Sequence, residues 1–126
     1  MFGGNSNWRG PVWMPMNYLI INAIKIYGYF YGDEYKVECP KGSGIFLTLT
    51  EVAKDITKRI LGIFEKNEHN ERLVNGPYNW FYQREENREL VLFHEYFHGD
   101  TLRGLGASHQ TGWTALVVNL ICDLKA

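Results

Sequence analysis

Apolar residues recur at helical spacing in three stretches of the chain, and these predict its main elements. Leu19, Ile20, Ala23, Ile24 and Tyr27 make one face of a first helix. Pro15 suits its first turn, and Gly28 is a natural stop. A second helix is announced by Thr48 and Glu51, the spacing of a capping box in which each side chain satisfies a free amide of the other's turn. Val52, Ile56, Ile60, Ile63 and Phe64 form its buried stripe, while Glu51, Lys54, Asp55, Lys58 and Arg59 face water. A third helix is expected over residues 112–124, with Thr111 as its cap and Trp113, Leu116, Val117, Leu120, Ile121 and Leu124 as its apolar face.

The connectors between them are long. Residues 39–44, Cys-Pro-Lys-Gly-Ser-Gly, read as loop, and Asn75-Gly76-Pro77 marks a sharp turn. His69 stands among charged and amide neighbours and is expected on the surface. Leu90 to Phe93 fits a short buried strand or the start of a helix, and periodicity does not separate the two.

Composition narrows the class of protein. The chain has 126 residues, the size of one domain, with 13 Lys and Arg against 14 Asp and Glu. No basic face is apparent, which disfavours a nucleic-acid partner. Cys39 and Cys122 form neither a metal spacing nor a disulfide framework. No glycosylation sequon and no signal-peptide pattern appear, so a cytoplasmic location is expected. The fairly apolar residues 14–26 are too short to span a bilayer, and no membrane association is expected.

Chemistry concentrates in residues 93–113. This segment holds three histidines, two carboxylates, an arginine, a glutamine, a tryptophan and four glycines, a mixture that is costly to bury without partners. His94-Glu95-Tyr96-Phe97-His98 matches H-E-x-x-H, in which a helix places two imidazoles on one face to bind zinc beside a glutamate base. That zinc metalloprotease-like reading needs a helix through both histidines, but Gly99 follows at once. The longer form of the motif continues with glycine and a third histidine, positions held here by Thr101 and Gly104.

Two longer motifs point elsewhere. Residues 4–15 read Gly-Asn-Ser-Asn-Trp-Arg-Gly-Pro-Val-Trp-Met-Pro and are followed by Asn17-Tyr18. Glu95-Tyr96-Phe97-His98-Gly99-Asp100 is followed by residues 104–114, Gly-Leu-Gly-Ala-Ser-His-Gln-Thr-Gly-Trp-Thr. Both, in this order, resemble the signatures of glycoside hydrolase family 63, and the similarity covers nearly the whole chain. The resemblance implies an all-α fold, with residues 1–126 forming the carboxy-terminal portion of an (α/α)6 toroid that is incomplete in this chain. It implies an inverting α-glycosidase acting on glucose-terminated oligosaccharides or on small glycosides such as mannosylglycerate and glucosylglycerate, with no metal and no cofactor.

By the same resemblance Glu95 matches the general base. Trp8, Arg9, Trp13, Asn17, His109, Gln110 and Trp113 match positions in or beside the sugar site. Two departures stand out. Leu102 occupies a position that is usually small in the family, often glycine. The family's general acid is an aspartate upstream of the tryptophan–arginine motif, and Asp33, Asp55, Asp100 and Asp123 match no such position. The chain alone is therefore expected to hydrolyse little, and its partners to be a carbohydrate and either the missing part of the barrel or a second copy of itself. An inactive sugar-binding or interaction fragment is the remaining alternative.

Overall fold

The computed structural model describes residues 10–125. Helix α1 (Met14–Tyr31) has Pro15 in its first turn. It does not stop at Gly28 but runs on to Gly32, whose φ of 69° ends it. Gly28 serves a different purpose. A Cβ there would lie 2.9 Å from Thr50 Oγ1 and 3.1 Å from the Thr50 amide nitrogen, so the missing side chain lets α1 lie against the next helix.

That helix, α2 (Leu49–Leu61), starts with the expected capping box. Thr48 Oγ1 accepts from the Glu51 amide at 3.2 Å, and Glu51 Oε2 accepts from the Thr48 amide at 2.8 Å. Val52, Ala53, Ile60 and Leu61 face the core, and the buried Thr57 hydroxyl donates to the Ala53 carbonyl.

The expected connector after α2 contains a 3-10 turn, Leu73–Tyr78, kinked at Gly76, and then a single helical turn, α3 (Asn79–Tyr82). Arg72 is buried here. Its Nε donates to the Phe64 carbonyl at 2.9 Å and its Nη1 to the Arg88 carbonyl at 3.3 Å. Helix α4 (Leu116–Lys125) is shorter than its apolar pattern, because residues 111–115 form turns, and Thr111 lies in those turns rather than at a cap.

The fold is mostly helical, yet it carries strands that the all-α expectation lacks. Strand β1 (Lys36–Glu38) pairs antiparallel with β2 (Phe46–Thr48), with Val37 opposite Leu47. Strand β3 (Tyr96–Phe97) pairs antiparallel with β4 (Gly104–Leu105), Tyr96 facing Leu105 and Phe97 facing Gly104.

The core gathers Met14 and Ile21 from α1, Ala53, Ile60 and Leu61 from α2, and Val117 and Leu120 from α4 around the fully buried Phe97. Phe64 packs edge-on against Phe97 at 5.5 Å. On α1 the buried stripe is Met14, Ile21 and Gly28. Leu19, Ile20 and Tyr27, expected on the buried face, are exposed together with Tyr29 and Phe30. Among the described residues no helix is long and apolar enough to cross a membrane.

Candidate active site

The site is organised by β3, a short strand flanked on both edges. On one edge lies β4. On the other, Val12 and Phe97 exchange both backbone hydrogen bonds, at 3.1 and 2.9 Å. The end of the first sequence motif is thereby stitched to the start of the second. Trp13 and Trp113 then meet edge to face, with centroids 5.8 Å apart.

Glu95 immediately precedes β3 and is fixed at three atoms. Its amide donates to the Ala107 carbonyl at 3.0 Å, and the Ala107 amide donates back to carboxylate oxygen Oε2 at 2.9 Å. Its own carbonyl accepts from Trp113 Nε1 at 2.8 Å. Gly106, with φ of 71°, lies beneath the carboxylate, and a Cβ there would stand 2.8 Å from the Glu95 Cβ. Among the described residues Oε1 has no hydrogen-bond partner, so one carboxylate oxygen is anchored and the other is open.

The histidines have structural surroundings. His98 Nδ1 accepts from the amides of Asp100 and Thr101, bracing the turn after β3. His109 Nδ1 accepts from the Phe93 amide at 3.3 Å, and its ring tilts over Phe93. His94 packs against Gly104, and among the described residues its buried Nδ1 has no hydrogen-bond partner. Burial holds the His94 imidazole below the usual histidine range, and the nearby His109 pushes it the same way.

The helix that H-E-x-x-H demands is absent. His94 and His98 flank an extended strand, and among the described residues no group of three His, Cys, Asp or Glu side chains is placed to hold a metal ion. A glutamate in this backbone cannot share a helical face with both imidazoles.

The remaining predicted residues divide. Gln110 Oε1 accepts from the Trp113 amide at 2.9 Å, shaping the turn that leads to α4. Asn17 Nδ2 donates to the Trp13 carbonyl at 2.8 Å and so locks the start of α1. Trp8 and Arg9 lie outside the described residues. An apolar cavity of about 540 Å3 sits between α2 and α4, lined by Phe64, Phe93, Val117 and Ile121, and none of its lining residues is a predicted site residue.

Thr114 escaped sequence reasoning. It is fully buried, and its hydroxyl donates to the His94 carbonyl at 2.6 Å. Inside the helix expected over residues 112–124 it reads as an ordinary helical residue, so only the neighbouring carbonyl reveals its use.

The described end of the first motif and the second motif are thus joined in space beside the anchored Glu95 carboxylate. The model of the glycosyl hydrolase family 63 C-terminal domain matches residues 3–123. The chain belongs to this family. The family 63 chain is 50% identical over 126 residues to an uncharacterized protein of Saccharomyces cerevisiae, covering 98% of this chain and 12% of that protein. It is 29% identical over 121 residues to the mannosyl-oligosaccharide glucosidase of the same yeast, covering 95% of this chain and 11% of the enzyme. The family 63 chain thus spans only about a tenth of the length of these relatives. No solved structure matches it.

Proposed function

We propose that this chain is the carboxy-terminal part of the catalytic domain of an inverting α-glycosidase that hydrolyses α-glucosides or related small glycosides, with Glu95 as general base. The observation that carries this reading is the Glu95 carboxylate, anchored through Oε2 to the Ala107 amide with Oε1 unpaired among the described residues, beside the Val12–Phe97 bridge between the two family motifs. Such a carboxylate keeps a defined direction while one oxygen stays available to take a proton from water.

Inversion uses two carboxyl groups about 6.5–9.5 Å apart, so that a water fits between the base and the anomeric carbon. Glu95 removes a proton from that water as its oxygen attacks. A separate carboxylic acid gives its proton to the departing glycosidic oxygen. The second group is assigned to polypeptide outside this chain, as are the remaining helices of an (α/α)6 toroid. The exposed apolar side of α1 supports that assignment, because Leu19, Ile20 and Phe30 present a surface suited to further helices. Trp13 would form part of the wall against a sugar ring, with Trp8, Arg9, Asn17, His109, Gln110 and Trp113 in or beside the site.

The test is turnover of an aryl α-glucoside by the 126-residue chain and by the longer polypeptide that carries it, with product stereochemistry followed by NMR. The expected result is turnover only by the longer polypeptide, with β-glucose appearing first. Turnover by the chain alone, lost in Glu95→Gln, would overturn the missing acid. Release of α-glucose first would overturn inversion.

A further inference from the structure

We infer that Trp113 and Thr114 act as positioning residues that clamp the segment carrying Glu95. This inference rests on the assignment of Glu95 as base. Consecutive residues of one turn address consecutive carbonyls of another segment: Thr114 Oγ1 donates to His94 at 2.6 Å, and Trp113 Nε1 donates to Glu95 at 2.8 Å.

The backbone pairing explains why side chains are needed there. The regular ladder of β3 and β4 covers only residues 96–97 and 104–105, and beyond it Glu95 pairs with Ala107 across the turn at Gly106. The carbonyls of His94 and Glu95 take their hydrogen bonds from side chains that follow in the chain. Those donors are themselves constrained. Gln110 Oε1 holds the Trp113 amide, Trp13 packs edge-on against the Trp113 ring, and Thr114 is fully buried. A buried hydroxyl is costly unless its hydrogen bond is made, so Thr114 has little freedom to turn away.

A general base must sit within about 0.5 Å of its productive position, and a displacement of about 1 Å can lower the rate by about 100-fold. The Ala107 amide sets where one carboxylate oxygen lies, while Trp113 and Thr114 set where the Glu95 backbone starts. Thr114, being buried, does this without touching a sugar.

The inference is tested with Thr114→Val, Thr114→Ser and Trp113→Phe in the full family 63 polypeptide, measuring kcat and KM. Thr114→Val removes the hydroxyl at nearly constant shape. The expected result is a kcat about 10- to 100-fold lower with KM unchanged. Thr114→Ser should return kcat to the parent value. A folded Thr114→Val with the parent kcat overturns the clamp. If Thr114→Val does not fold, Trp113→Phe makes the same comparison, and an unchanged kcat there overturns it equally. Glu95→Gln in the same assay separates the two levels. Retained turnover in Glu95→Gln removes the base assignment. Lost turnover in Glu95→Gln beside unaltered Trp113→Phe removes only the clamp.

Discussion

Trp13 and Trp113 pack edge to face at 5.8 Å with their rings 77° apart, although one precedes the first helix and the other the last. Such pairs contribute about 0.5–1.5 kcal/mol beyond the area they bury. This contact sits beside the Val12–Phe97 bridge, so the start of the described chain and the Glu95 segment are fastened twice. Trp13→Ala should therefore cost about 2 kcal/mol, less than the ~3–5 kcal/mol of a fully buried tryptophan because Trp13 is only half-buried. Hydrogen exchange should also quicken at the Phe97 amide, which donates to Val12. Unchanged exchange there would separate the tryptophan contact from the bridge.

Glu95→Gln should separate chemistry from stability. Its amide oxygen can still accept from the Ala107 amide, so the thermal midpoint should barely move. Loss of a general base lowers turnover by about 100- to 10,000-fold. A large drop in the midpoint would show that the charge, and not only the acceptor, holds the turn.

Leu102 has a φ of 60° while its side chain packs against the core. The left-handed region costs a side-chain-bearing residue about 1–2 kcal/mol. Leu102→Ala loses the packing and keeps the strain, whereas Leu102→Gly loses the packing and the strain together. The glycine variant should thus be more stable than the alanine variant by about 1 kcal/mol, the reverse of their usual order. Urea denaturation of both checks this, and the usual order would refute a strained Leu102.

The depressed His94 imidazole sets a direction for pH. Its folded form binds a proton less readily than the unfolded form, whose ordinary value is 6.5. Between the two values the unfolded chain holds more protons, so stability falls as pH drops below about 6.5 and recovers above it. Burial dominates this effect and His109 adds to it. Stability measured from pH 7.5 to 5.5, roughly spanning the ordinary histidine range, should decline less in His94→Phe than in the parent. Parallel curves would place the proton elsewhere.

The outward side of α1 predicts association. Leu19 is 62% exposed, Tyr29 93% and Phe30 77%, and they are joined by Met16, Ile20 and Ile26 on the same helix. Contiguous apolar surface of this kind marks an interaction site or an aggregation liability. Size-exclusion chromatography should show concentration-dependent self-association of the isolated chain, weakened by Ile20→Lys with Phe30→Glu. A monomer at all concentrations would contradict it.

How much the sequence could reveal depended on the range of each interaction. The capping box of α2 lies within three residues, so Thr48 and Glu51 announced it correctly. The surface position of His69 and the turn at Gly76 were legible for the same local reason. The two long motifs placed the chain in its family because they record which residues occur together, without stating how they meet.

Everything that depends on a distant neighbour was settled only by the tertiary structure. Gly28 reads as a helix stop but is a contact point for Thr50, so α1 runs on. Arg72 lies in a polar run that suggests a solvated surface, yet the carbonyls of Phe64 and Arg88 bury it. Residues 112–115 look helical by periodicity, but Trp113 and Thr114 are drawn toward Glu95 and His94, and α4 begins after them. H-E-x-x-H suggests two ligands on a helix until the pairing of Phe97 with Val12 and Gly104 makes its core a strand. By itself the sequence determined the local turns, the helix cap and the family. Which carboxylate is anchored, and by what, was decided by long-range hydrogen bonds between segments whose proximity no local pattern encodes.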